Sequence, residues 1–139
     1  MALKHSYTLL SPLYDALVSG PLDFYREKSL LRLHEHLHNS NDKNVLINGI
    51  GSGLDLPYLP QNAVYTGSDI TPAMLNRARR RAADHDLDIS FQIADSQDLP
   101  FESNSFDVVV MHLILAVVPH PELALKEACR VLKPGGKIY

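Results

Sequence analysis

Three glycines alternate at the end of an apolar run in VLINGIGSGLDLPYLP, residues 45–60. The spacing of Gly49, Gly51 and Gly53, called here the glycine turn, is typical of a backbone that must come close to a ligand. Dinucleotide-binding turns follow the pattern G-x-G-x-x-G, and Leu54 stands where its third glycine would fall. The turn therefore predicts a bound ligand, with a pyrophosphate disfavoured as part of it.

Two aspartates extend this prediction to a nucleoside. Asp69 ends the second predicted strand, and an acid there can accept hydrogen bonds from both hydroxyls of a ribose. Asp95 ends the third, where its carboxylate can accept from an exocyclic amine while the N–H of Ser96 reaches a ring nitrogen. The alternative is that both acids only cap the segments that follow them.

The elements that must position these residues alternate between strand and helix. The sequence predicts helices at 6–18, 22–38, 72–85 and 121–132 and strands at 44–50, 63–70, 87–95 and 105–115, with a fifth strand starting at about 135. This alternation predicts an α/β fold with a parallel sheet. The sheet would bring the ends of its strands, and so the aspartates and the glycine turn, to one edge.

Composition excludes several classes of protein. With 139 residues the chain has the size of one domain, and its net charge of −3 argues against nucleic acid as a partner. No apolar stretch is long enough for a transmembrane helix, and the first twenty residues mix polar and apolar types too often for a signal peptide. Cys129 is the only cysteine, which favours a reducing compartment, and we interpret it as a small core residue. We therefore expect a cytoplasmic protein.

Longer segments of the chain resemble a known family. From about Val45 to its end the sequence is similar to the class I S-adenosylmethionine-dependent methyltransferases. The segments that carry the resemblance are TGSDITPAMLNRARRRA (66–82), ADSQDLPF (94–101), SFDVVV (105–110) and RVLKPGG (130–136).

Within that superfamily, GLDLPYLP (53–60) and VVPHPELAL (117–125) most resemble the phosphatidylethanolamine N-methyltransferases and the related quinone methyltransferases. LLSPLYDALV (9–18) resembles the N-terminal lid of the same group. The resemblance implies a Rossmann-like parallel sheet of order 3-2-1-4-5 with flanking helices. It divides the chain into a helical lid or cover, 1–40, and a cofactor-binding core, 41–139.

The resemblance also implies S-adenosylmethionine as the cofactor, with its methionine end against Gly49, Gly51 and Gly53. The other roles it implies are Asp69 on the ribose, Ile70 and Met74 on the adenine face, Asp95 and Ser96 on the adenine edge, His112 facing the sulfonium region and Tyr14 on the acceptor side.

The chain departs from the family pattern in two respects. The family usually reads V-L-[DE]-V-G-x-G-x-G, and here Ile47 takes the acid position, which predicts weaker cofactor binding. Asn48 could replace the acid only in part, because adjacent strand residues point to opposite faces. The family sheet has seven strands, and this sequence stops within the fifth. We therefore expect an incomplete core, which would be a fragment, a truncated chain or a protomer whose open sheet edge is covered by a partner in a homodimer.

The resulting hypothesis is a methyltransferase acting on a small-molecule or lipid acceptor, with peripheral membrane contact as a further option. Methyl transfer needs orientation more than a dedicated base, so no catalytic residue is assigned. One alternative is a truncated or degenerate relative that binds cofactor or a partner without catalysis. Another, an NAD-dependent oxidoreductase, is disfavoured by Leu54.

Two further clusters have simpler interpretations. His34 and His38 lie one helical turn apart and could chelate a metal, but no third ligand is evident, so a solvated face is preferred and no metal is predicted. The basic run 77–81 could meet anionic lipid head groups, and an exposed helix face is the preferred explanation.

Overall fold

The structure is a computed structural model that describes residues 23–39, 43–112 and 114–139. Its strands are β1 (Lys43–Asn48), β2 (Ala63–Asp69), β3 (Asp88–Ile93), β4 (Phe106–Val110) and β5 (Leu132–Ile138). Its helices are α1 (Asp23–Leu37), α2 (Pro72–Ala82), α3 (Ile114–Val117) and α4 (Pro121–Val131), with a 3₁₀ turn at Leu56–Tyr58. Within these ranges no helix is long and apolar enough to cross a membrane.

The five strands form one parallel sheet in the order β3-β2-β1-β4-β5, which confirms the predicted fold. Strand order reverses between β1 and β4, since the chain runs outward from β1 in both directions. In open α/β sheets this switch point, at the carboxyl ends of the strands, is where ligands bind.

Each face of the sheet carries its own core, and β1 alternates between them. Val45 and Ile47 pack in a cluster with residues of α1 and α2, whereas Leu46 packs in a second cluster with Val109 and residues of α4. Full burial of one such aliphatic side chain stabilises the fold by about 1.5–3 kcal/mol. Because both faces are buried, β1 and β4 have the near-continuous apolar sequence of central parallel strands.

The helices that follow β2 and β4 begin at prolines. Pro72 and Pro121 occupy the first turn, where the missing N–H would have no intrahelical partner. Thr71 takes the N-cap position of α2 as predicted, but its side chain makes no capping hydrogen bond. Its backbone N–H instead donates to the Asp69 carboxylate, so the end of β2 fixes the start of α2.

The predicted strand 105–115 is wrong beyond Val110. β1, its neighbour, ends at Asn48, so residues past Val110 have no partner on that side, and the apolar run enters α3 at Ile114. An apolar run alone does not separate a buried strand from a buried helix segment.

The fifth strand begins at Leu132, before the predicted start at about residue 135. Phe106 pairs with Leu132, but Val108 pairs with Lys137, so the intervening residues form an irregularity in β5 rather than a break before it. Cys129 is exposed on α4, which corrects its assignment to the core. The predicted helix 6–18 lies outside the described residues.

Glu127 and Arg130 on α4 hold the segment that follows β3. The Leu99 N–H donates to Glu127 Oε1 at 3.0 Å, and Arg130 donates to the carbonyls of Leu99 and Phe101 at 3.0 and 2.8 Å. Arg130 also pairs with Glu127. The hydrogen bond from Arg130, together with that from Leu99, holds the pKa of the Glu127 carboxyl below its ordinary 4.5.

We expect Glu127→Gln to lower the urea midpoint of unfolding at neutral pH. A depressed carboxyl pKa stabilises the folded state above the ordinary value of 4.5, and this stabilisation is lost as the pH falls through the folded-state pKa. The difference between wild type and variant should therefore shrink below about pH 4.5. Glu102→Gln, at an exposed position, is the control. A gap that is constant with pH would contradict the assignment.

Candidate functional site

The glycine turn follows β1 at the switch point of the sheet. Gly49, Gly51 and Gly53 have φ values of 71°, 59° and 86°, in the left-handed region that favours glycine. The turn is closed by hydrogen bonds from the Ile50 N–H to Ser68 O at 2.9 Å and from the Gly53 N–H to Ile50 O at 3.1 Å. The left-handed residues turn the chain sharply at the carboxyl edge of the sheet.

The glycines meet different surroundings. A Cβ on Gly53 would lie 2.6 Å from Leu56 Cδ1 and 3.2 Å from Ala78 Cα, so this glycine lets α2 approach the turn. A Cβ on Gly51 would meet nothing within 4 Å. Gly51 therefore faces open space, as expected of a residue over which a ligand would lie.

The Asp69 carboxylate is fixed between the glycine turn and α2. Its Oδ2 accepts the Gly51 N–H at 3.0 Å, and its Oδ1 accepts the Thr71 N–H at 2.9 Å. Burial raises the pKa of the Asp69 carboxyl above its ordinary 3.8, and the backbone donors oppose that shift. Each oxygen has a second lone pair, so the capping interpretation and the ribose interpretation are compatible.

Ile70 and Met74 are placed differently beside Asp69. Ile70 is 42% exposed, so its side chain is available to pack against a ligand ring. Met74 is buried at the first turn of α2, with 3% exposure. Of the two residues expected on the adenine face, Ile70 presents the larger surface.

Asp95 and Ser96 follow β3, next to β2 at the same edge. Asp95 Oδ1 accepts the Gln97 N–H at 2.9 Å and the Gln97 side-chain amide at 3.2 Å. Ser96 is buried, and its hydroxyl donates to Asn48 Oδ1 at 2.8 Å. The sheet therefore brings Asp95 and Ser96 to the edge that carries Asp69 and the glycine turn.

The two unusual residues of β1 lie on opposite faces. Ile47 is buried in the core against α1 and α2, and Asn48 is buried beside Ser68 and Ser96. Asn48 therefore does not reach the position that Ile47 occupies. Among the described residues, Asn48 Nδ2 has no hydrogen-bond partner.

Two arginines on separate helices contact the glycine turn and the residue just past it. Arg81 on α2 donates to Ser52 O at 3.0 Å and to Ser52 Oγ at 3.3 Å. Arg26 on α1, itself buried, donates from Nε to Asp55 Oδ1 at 2.7 Å, just past the turn. These contacts connect α1 and α2 to the turn and to the segment that follows it.

His112 lies two residues beyond β4 and contacts Asp55 and Ser29. Its Nδ1 is 3.1 Å from Asp55 Oδ2, and its Nε2 is 3.0 Å from Ser29 Oγ. Sequence reasoning singled out His112 but missed Arg26, Ser29 and Asp55. Asp55 follows the glycine turn by two positions, and a carboxylate so close to the turn was a usable signal.

The two histidines considered as metal ligands contact other groups. His34 Nε2 lies 2.8 Å from Tyr58 O, and His38 Nδ1 contacts Asn39. Tyr14 lies outside the described residues.

Comparison with known proteins identifies the family to which this chain is similar. The profile of the methyltransferase domain family matches residues 46–139, more than half of the chain. A phosphatidylethanolamine N-methyltransferase of Cereibacter sphaeroides is 34% identical over 102 residues, which cover 72% of this chain and 50% of that protein. The ubiquinone/menaquinone biosynthesis C-methyltransferase UbiE of Chromobacterium violaceum is 43% identical over 72 residues, covering 52% of this chain and 30% of that protein.

The fold is shared with solved structures. A Methanococcus maripaludis protein assigned as an S-adenosyl-L-methionine-dependent methyltransferase superimposes with a TM-score of 0.80 at 20% identity. The match covers 95% of this chain and 62% of that one. The chain thus spans half or less of the length of the two curated relatives above.

We expect alanine at Gly51 and at Gly53 to act on different properties. Gly53→Ala should lower the urea midpoint more, since strain at positive φ of about 1–2 kcal/mol adds to the contacts with Leu56 and Ala78. Gly51→Ala carries the strain alone, but its methyl group would occupy the open space, so binding of S-adenosylhomocysteine should weaken at least about tenfold.

Urea unfolding and titration calorimetry measure the two effects, and each variant is the control for the other. Gly51→Ala with wild-type affinity for S-adenosylhomocysteine would show that the ligand does not lie over this glycine.

Proposed function

Because this chain belongs to the S-adenosylmethionine-dependent methyltransferase family, we propose that it binds S-adenosylmethionine at the switch point of its sheet and transfers the methyl group to a small-molecule or lipid acceptor. One observation carries the proposal. A carboxylate on β2, Asp69, is held by the N–H of a glycine whose open side could receive a ligand.

The residues at this edge fit the parts of the cofactor. Asp69 would accept hydrogen bonds from the ribose hydroxyls, and Ile70 would cover the adenine. Asp95 and the Ser96 N–H would read the adenine edge, and the glycine turn would lie against the methionine portion. Met74, which is buried, would support this surface from below rather than form it.

The cofactor supplies an electrophilic methyl group on a sulfonium, whose departure leaves a neutral thioether. The protein supplies orientation, because an in-line displacement requires the acceptor atom to be held opposite the leaving sulfur. The rigid edge formed by β1, β2 and β4 fulfils this role, since its side chains and backbone are fixed by two cores.

A lipid or quinone acceptor is favoured by the relatives. One is named for phosphatidylethanolamine and another for ubiquinone and menaquinone, and both names denote lipidic molecules. On α1, Phe24 and Tyr25 are 65% and 67% exposed and stack edge to face. Exposed aromatic residues of this kind support contact with a lipid surface.

A truncated or degenerate relative that binds cofactor or a partner without catalysis is the second candidate. It is favoured by Ile47, which places an apolar core side chain where the resemblance implies an acid. Methyl transfer to an acceptor separates the two candidates, whereas cofactor binding alone does not.

Calorimetry should show binding of S-adenosylhomocysteine and S-adenosylmethionine, and none of NAD. Asp69→Asn should weaken S-adenosylhomocysteine binding at least about tenfold, since a hydrogen bond to a charged group contributes about 1.5–3 kcal/mol. Asp88→Asn, exposed at the opposite end of β3, is the control. Binding of NAD alone would refute the proposal, and unchanged affinity in Asp69→Asn would refute the ribose assignment.

The same titrations carry a pH dependence. Burial raises the pKa of the Asp69 carboxyl, so protonation begins at a higher pH than for an ordinary aspartate. Protonation removes an acceptor, and affinity for S-adenosylhomocysteine should therefore fall as the pH is lowered towards this raised pKa. Asp69→Asn lacks the carboxylate and should show a flatter profile.

We expect radiolabelled methyl transfer from S-adenosylmethionine to phosphatidylethanolamine vesicles or to a demethylated quinol, the reduced form of the quinone, in detergent. Phosphatidylcholine vesicles, whose head-group nitrogen is already fully methylated, are the matched control. Label in neither acceptor, from protein that binds S-adenosylhomocysteine, would favour the candidate without catalysis.

A further inference from the structure

Four side chains form a continuous series of hydrogen bonds beside the glycine turn. Arg26 Nε donates to Asp55 Oδ1 at 2.7 Å, and Asp55 Oδ2 lies 3.1 Å from His112 Nδ1. The opposite ring nitrogen, His112 Nε2, lies 3.0 Å from Ser29 Oγ. The series joins α1, the segment after the glycine turn and the segment after β4.

The series fixes the tautomer of His112. Asp55 is buried, and its carboxylate accepts a hydrogen bond from Arg26 Nε at 2.7 Å. Nδ1 of His112 must then carry the proton that it donates to Asp55. In the neutral ring Nε2 is left as an acceptor, and the Ser29 hydroxyl is its donor.

The register of the sheet places His112, which carries this acceptor, near the glycine turn. Val110, the last residue of β4, pairs with Ile47 of β1, two residues before the glycine turn. His112 therefore lies beside the turn, at the edge where the methionine end of the cofactor is proposed to bind. A ring nitrogen that can accept a proton thus lies near the turn that is proposed to hold the methionine end of the cofactor.

Ser29 itself is poorly placed to react. It lies in the seventh position of α1, where backbone N–H groups are already bonded within the helix. No oxyanion site can be built from such donors, which argues against Ser29 as an acyl-transfer nucleophile. Its hydroxyl instead occupies a position from which an O–H or N–H group can donate to His112 Nε2.

We propose that His112 Nε2 is the general base of the methyl transfer and that the acceptor's O–H or N–H takes the place of the Ser29 hydroxyl. This inference rests on the proposed function. The proton of the acceptor passes to Nε2 while the acceptor's electron pair forms the bond to the methyl carbon. The carbon–sulfur bond breaks with its pair on sulfur, and the imidazolium formed is balanced by Asp55.

The proposal narrows the acceptor to a group that must lose a proton, such as a hydroxyl, a phenol or an ammonium. Asp55 is a positioning residue: it holds the Nδ1–H tautomer that leaves Nε2 unprotonated. Arg26 forms an ion pair with Asp55 in its buried position.

The tautomer is tested without cofactor or acceptor. Nitrogen-15 NMR of histidine side chains in the full chain, above pH 8, should show His112 protonated at Nδ1 and not at Nε2. Loss of one set of signals in His112→Gln assigns the resonance, and His120→Gln, at an exposed histidine, is the control. In Asp55→Asn the preference for Nδ1–H should be lost. An Nε2–H tautomer in the wild type would overturn the proposal.

Kinetics tests the role. His112→Gln should lower kcat for the vesicle or quinol acceptor by about 10²-fold or more, as general bases contribute about 10²–10⁴. Its Kd for S-adenosylhomocysteine should stay within about threefold of wild type, which also shows that the variant is folded. Unchanged kcat, or loss of S-adenosylhomocysteine binding by folded His112→Gln, would overturn it. Absence of cofactor binding by the wild type would instead refute the proposed function.

Discussion

The hydrogen bond from the Gly51 N–H to the Asp69 carboxylate is the interaction on which the candidate site depends. A carboxylate withdrawn from water is destabilised unless hydrogen-bond donors compensate for the lost solvation. Here the donors are two backbone N–H groups, one in the turn after β1 and one at the start of α2. The bond joins the turn after β1 to the end of β2. The negative charge and the open backbone surface are thus held in one fixed relation.

Support for the turn comes from residues that are distant in sequence. Arg81 holds it from α2, and Arg26 holds Asp55 from α1, 29 positions away in the chain. In this protein Ile47 belongs to the apolar core, so the turn depends on side chains outside β1 for polar support.

Features set by neighbouring residues in the sequence were predicted better than features set by contacts between distant residues. Strand order and the positions of Asp69 and Asp95 were predicted, since apolar runs, prolines and glycines act locally and the family pattern is specific. Less local features were missed. The Arg26–Asp55 pair has no sequence signature, and β5 starts at Leu132, two residues before Pro134, where Leu132 pairs with Phe106.

The contact between Arg26 and Asp55 couples α1 energetically to the segment that follows the glycine turn. If occupancy of the turn changes how firmly Asp55 is held, it changes the docking of α1 by the same free energy, because linkage between two sites is reciprocal. A lipid surface or protein that binds α1 would then change the affinity of the sheet edge for its ligand without touching the edge. A ligand at the edge would change the affinity of α1 for that lipid surface or protein by the same factor.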